Sequence, residues 1–122
     1  MEWNLVIHDK DKYVEVVTNG IVDGDSTVDM AQAIAQTMKG HRFTKALIDH
    51  RNVVDVIGSI SATHNRPKIF RFIGLTLNIK IAELIRPEHE YHFKFFEKVC
   101  FDQGYRLSVF QDKDEALTWL LA

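Results

Sequence analysis

The stretch Thr44-Lys45-Ala46-Leu47-Ile48-Asp49-His50-Arg51 decides the fold. A short apolar run ends abruptly in three polar side chains, the pattern of a strand buried on both faces that delivers Asp49, His50 and Arg51 to the rim of a sheet. In open α/β sheets that rim is where ligands usually bind. Upstream, Val28, Ala31, Ile34, Ala35 and Met38 recur at helical spacing and give one apolar face to lay on the sheet. Ser26 is the expected N-cap of this helix, with Asp29 three positions on, and Gly40 its expected terminator. Downstream, Val53, Val54, Val56 and Ile57 follow the polar rim, and Gly58-Ser59-Ile60-Ser61 opens towards a second helix that either serine could cap. Pro67 places the start of that helix near Arg66 or bends it there; its body holds Ile69, Phe70, Phe72, Ile73 and Leu75.

Further out, Trp3, Leu5 and Ile7 alternate with polar and smaller residues, Asp9-Lys10-Asp11-Lys12 supplies a turn, and Tyr13 to Thr18 returns as an antiparallel partner. Asn19 to Asp25, with Gly20 and Gly24, reads as an irregular connection. Leu77 to Ile85 reads as a strand stopped by Arg86-Pro87, where Pro87 is suited to open a third helix. That helix is expected to carry Tyr91, Phe95 and Val99 on one face, with Phe96 and Cys100 beside it, and to end near Gly104. Tyr105 to Phe110 is the last strand. Asp112 with Glu115 makes a capping-box pattern for a closing helix that buries Ala116, Trp119 and Leu120. Repeated strand-helix units favour parallel strands joined by right-handed crossovers. The expected fold is a single α/β domain over residues 1–122: a mixed, mainly parallel sheet of about five strands, an opening antiparallel hairpin, and about four helices.

Composition narrows the function classes. A chain of 122 residues with 46% hydrophobic and 26% charged content can bury a core without a disulfide or metal staple. Its 15 basic and 17 acidic residues, a formal charge of −2, give no basic face for nucleic acid. Cys100 is the single cysteine, so no internal disulfide forms. With no basic-then-apolar leader after Met1, and no run near the roughly 18 apolar residues of a membrane span, a soluble cytoplasmic protein is expected.

The opening hairpin, Ala46-Leu47-Ile48-Asp49 as an apolar strand closing on Asp, and the ending Val109-Phe110-Gln111-Asp112-Lys113-Asp114-Glu115-Ala116-Leu117-Thr118-Trp119-Leu120 together resemble the STAS family, in particular its SpoIIAA-like branch, related also to the lipid-binding CRAL-TRIO fold. The resemblance covers nearly the whole chain, and the closing pattern is its most specific part. It implies a non-catalytic binding or regulatory module that acts through a protein partner or a small ligand. A CRAL-TRIO-like carrier of a lipid or other apolar ligand is the alternative, and an enzyme of unknown reaction a further one. Some anti-sigma antagonists are switched by phosphorylation of a serine at the start of the helix after this strand, and Ser59 falls close to that position. The local order Ile57-Gly58-Ser59-Ile60-Ser61 departs from the acidic-serine-glycine pattern of those proteins. Helix capping by Ser59 or Ser61 is the plainer use of these residues, and a phosphate there would suit a helix N-terminus.

The residues expected to bind a ligand or partner are Asp49, Arg51, Ser59, Ser61, Phe70 and Phe93, with Ser59 as the phosphorylation candidate. Neither a catalytic residue nor a cofactor is assigned. His89 and His92 share a predicted helix with Glu88, but two or three ligands make no site, since zinc needs four, or three and a water; no metal is expected. Strand alternation sends Asp49 and His50 to opposite faces, so an Asp49–Arg51 ion pair is expected instead of acid-base chemistry. Cys100, among Phe95, Phe96 and Val99, reads as an inert buried thiol. The aromatic residues Phe70, Phe72, Tyr91, Phe93, Phe95, Phe96 and Phe101 cannot all share one helix stripe. Helix–helix packing, a homodimer surface or an apolar pocket would use the remainder. A homodimer is the expected assembly.

Overall fold

The computed structural model of the chain describes residues 1–56 and 78–122, with the backbone alone at positions 24 and 25. Strands β1 (Glu2–His8) and β2 (Tyr13–Val22) form the antiparallel opening hairpin, with Leu5 opposite Val16. β2 runs parallel to β3 (Lys45–Val56), β3 to β4 (Lys80–Leu84), and β4 to β5 (Arg106–Phe110), in the spatial order β1-β2-β3-β4-β5. Three α-helices lie among the described residues: α1 (Gly24–His41), α2 (Glu90–Asp102, entered through a 3-10 turn at Pro87–His89) and α3 (Lys113–Leu121). The second helix expected over Arg66 to Leu75 lies outside the described residues, as do Ser59, Ser61 and Phe70.

Alternation along the strands divides the core into two layers. On one face Val14, Val16, Ala46, Ile48, Ile81 and Leu107 meet Met30, Ile34 and Met38 of α1 and Phe93, Phe96 and Cys100 of α2. On the other, Tyr13, Leu47, Ala82 and Leu84 meet Ala116 and Leu120 of α3. β3 is central to both layers, because its neighbours in sequence, Ala46, Leu47 and Ile48, point alternately into one and the other and are all buried.

Several boundaries differ from the sequence reading, each for a local reason. β3 does not stop at Arg51 but continues to Val56, because β2 continues beside it: Asn19 pairs with Asn52 and Val22 with Val56. Residues Asn19 to Val22 are therefore strand, not an irregular connection. Gly20, with φ of +91°, takes up the register shift that the extension requires, in a conformation costly for a side chain. Beyond Asp49 and its β4 partner Leu84, β2 is the strand that pairs with β3 among the described residues. Asp49 thus marks the rim of the wide sheet, and Asn52–Val56 belongs to a two-stranded arm beyond it.

The cap of α1 is Asp23, not Ser26. The Asp23 carboxylate accepts from the Ser26 backbone N–H at 2.8 Å and from the Ser26 hydroxyl at 3.0 Å. Its end is Arg42, in the left-handed conformation at φ 58°, with the Phe43 N–H returning to the Met38 carbonyl at 2.9 Å; Gly40 sits inside the last turn. β4 is shorter than the sequence suggests, since Asn78, Ile79 and Ile85 lie outside it. The core face of α2 is Phe93, Phe96, Val99 and Cys100, whereas Tyr91 is 80% exposed and Phe95 half-buried. The 3-10 turn at Pro87–His89 precedes the α-helical turns. In α3 the expected cap holds: the Glu115 N–H donates to Asp112 at 3.0 Å. Ala116 and Leu120 are buried, and Trp119 is half-buried against Phe110.

Candidate functional site

β3 presents its polar residues to both faces at the sheet rim. On the face shared with α3, Asp49 receives Arg51 twice through the side chain, Nε to Oδ1 at 3.0 Å and Nη2 to Oδ2 at 2.9 Å, and once through the Arg51 N–H at 3.0 Å. This is the expected ion pair, in bidentate form. Burial works to raise the Asp49 pKa, and the Arg51 hydrogen bonds and charge outweigh it, holding the carboxyl below the usual carboxylate range. The Arg86 Nε donates to the Arg51 carbonyl, which links the end of β4 to the same rim.

Beside this pair, Glu15 of β2 is accepted into a second cluster. Its Oε2 receives Lys113 Nζ at 3.2 Å, and its Oε1 stands 2.8 Å from His8 Nε2. His8 in turn stacks on Tyr13 at 4.3 Å between ring centroids. The network runs from β1 to the first turn of α3 and clamps the closing helix onto the sheet.

On the opposite face, a polar line crosses three adjacent strands beneath α1 and α2. Thr18 Oγ1 on β2 lies 2.7 Å from His50 Nδ1 and 3.2 Å from the Asp49 carbonyl, and His50 Nε2 lies 3.9 Å from Glu83 Oε2 on β4. Thr18 Oγ1 donates to the Asp49 carbonyl, which can only accept, so both contacts of the hydroxyl are satisfied when His50 Nδ1–H donates to it. Phe93 stacks on the imidazole at 5.0 Å. All of it is interior: Thr18 is 0%, His50 3%, Glu83 4% and Phe93 2% exposed. A cavity of about 30 Å³ beside His50, Glu83, Phe93 and Thr27 has room for water rather than for an organic substrate.

The chemistry open to this arrangement is limited. The Asp49 and Glu15 carboxylates are engaged by cations, and the His50–Glu83 pair faces that small cavity. Cys100 is fully buried, and burial pushes its thiol far above the ordinary value, so no thiolate nucleophile forms at neutral pH. Among the described residues no group of three His, Cys, Asp or Glu could hold a metal ion. Nor is any helix of the described residues long and apolar enough to cross a membrane.

The structure therefore brings Asp49 and Arg51 together at the rim and places Phe93 in the core, against the other face of the same strand. The sequence reading had no place for Thr18, Glu83, Glu15 or Lys113. Glu15 in Val14-Glu15-Val16 and Glu83 in Ile81-Ala82-Glu83-Leu84 carried the usable signal: a lone carboxylate inside an otherwise apolar strand must find a partner.

No protein-family model matches the sequence, and no curated protein matches it. Solved structures do. An anti-sigma factor antagonist from Mycobacterium paratuberculosis superposes with a TM-score of 0.62 at 17% identity, covering 99% of this chain and 96% of that one. An uncharacterized protein with a SpoIIAA-like fold from Shewanella loihica gives 0.59 at 19% identity over 98% and 92%. The anti-sigma factor antagonist SpoIIAA in its unphosphorylated form gives 0.54 at 15% over 97% and 96%. With near-complete coverage in both directions, the chain has a SpoIIAA-like fold.

Proposed function

We propose that this chain is a non-catalytic regulatory module that binds a protein partner at the rim where β3 leaves the wide sheet. The supporting observation is the composition of that rim. The Asp49 carboxylate is engaged by Arg51, so it is a poor acid or base, yet the Arg51 side chain remains 44% exposed. The two-stranded arm beyond it holds Val54 at 62% and Ile21 at 41% exposure. An exposed, anchored guanidinium and unburied apolar side chains on the strands that continue past it are the kinds of group that carry most of the energy at protein-binding surfaces. The likeness to anti-sigma factor antagonists supports the same reading. Carriage of a lipid or other apolar ligand has less support, because the cavity beside His50 is about 30 Å³ against the several hundred Å³ such ligands occupy.

The test is to recover the full chain from its own cells, identify the protein bound to it, and rebuild the complex from the two purified components. Turnover of a small molecule by the purified chain, lost on substitution at His50 or Glu83, would replace this reading with an enzyme.

A further inference from the structure

At the other end of the sheet, three parallel strands begin in register on cations. Lys45 on β3 is beside Lys80 on β4, which is beside Arg106 on β5. Registered residues of adjacent parallel strands share a face and sit roughly 5 Å apart. Burial, and then the charges of Lys45 and Arg106, hold the Lys80 ammonium below the ordinary lysine pKa. Lys80 Nζ lies 4.5 Å from the Trp119 ring centroid and donates to the Trp119 carbonyl. Arg106 donates to the Asn78 carbonyl at 2.7 Å. Among the described residues neither these three nor the nearby Lys98 forms an ion pair.

Over the outer edge of β5, Lys80 and Arg106 border an open groove of about 560 Å³ between α2 and the end of α3, lined also by Lys98, Phe101, Tyr105 and Trp119. Phe101 stands 76% exposed there. The carboxylate in the lining is Glu97, already committed: its Oε2 accepts the Val109 N–H at 2.7 Å. The Tyr105 N–H goes to the Cys100 carbonyl at 2.9 Å. The backbone of this edge is thus partly closed to an added strand, and recognition falls to the side chains.

We propose that this groove takes an acidic segment of a partner protein that carries an aromatic side chain, its carboxylates against Lys98 and Arg106 and its ring against Phe101 and Trp119. Charge complementarity selects the acidic partner. A nucleic acid or an anionic membrane would need a broad basic face, and the chain as a whole carries −2. Groove and rim lie at opposite ends of the sheet, so this inference and the rim reading can fail separately.

The probe is a short fluorescent peptide of Glu and Asp around one Phe, titrated into the full chain, with Trp119 emission followed in a Trp3→Phe background. Saturable binding that shifts Trp119 emission and weakens as salt is raised is expected. Lys98→Glu and Phe101→Ala, both on exposed positions, should each weaken it about tenfold while leaving the melting temperature in place. The proposal is overturned if the peptide does not bind, if both variants bind it equally well, or if a Gln and Asn version binds as tightly. It is also overturned if heparin or phosphatidylserine vesicles bind more tightly than the peptide. A dimer that Phe101→Ala converts to monomer would likewise overturn it, by making a second copy of the chain the occupant.

Discussion

His50 Nε2 faces Glu83 Oε2 at 3.9 Å across the β3–β4 boundary, with both side chains inside the sheet. Removing one member of a buried polar pair costs the other that contact, whereas removing both spares this penalty. Glu83→Ala and His50→Ala should each lower stability by about 1–3 kcal/mol. The double variant should lose less than the sum by about 1–3 kcal/mol in urea unfolding. Strict additivity would mean that the two groups do not interact.

Asp49 makes stability depend on acid. Its folded pKa lies below the ordinary value of 3.8, so the unfolded chain binds the proton more readily. The contribution is therefore present above about pH 4 and is lost as pH falls through the lower folded value. Asp49→Asn should flatten the acid limb of a stability profile recorded by circular dichroism. An unchanged acid limb would show that Arg51 does not hold this carboxylate in solution.

Cys100 is predicted to be silent in the folded protein. Burial raises its thiol pKa, and no path of the described structure exposes it. Ellman's reagent at neutral pH should label it only after denaturant is added; labelling on mixing with the native protein would contradict its place on the buried face of α2.

The cap of α1 separates two adjacent candidates. Asp23→Ala removes the acceptor for the Ser26 N–H and should cost about 1 kcal/mol in thermal or urea unfolding. Ser26→Ala leaves that bond in place and should cost less than half as much. The reverse order would restore Ser26 as the cap.

The sheet and its closing helix were legible because apolar runs such as Ala46-Leu47-Ile48 and the Asp112/Glu115 cap are local signals. The Asp49–Arg51 pair was legible for the same reason, the two residues lying two apart on one strand. The extension of β3 to Val56 was not, because it depends on pairing with Asn19–Val22, over thirty positions upstream, and on Gly20 absorbing the register shift. Sequence spacing did not join Thr18, His50 and Glu83 either; they meet only when three strands align. On α2 the spacing put Tyr91, Phe95 and Val99 on one face, and packing against His50 selected instead the face with Phe93.

The most direct test of the rim as a partner-binding surface is calorimetry on the complex rebuilt from the chain and the protein it binds in its own cells. Val54→Glu, at an exposed position of the arm, should weaken that complex by about tenfold or more without shifting the chain's own melting temperature. A complex that forms with unaltered affinity in Val54→Glu and in Arg51→Ala would contradict the account.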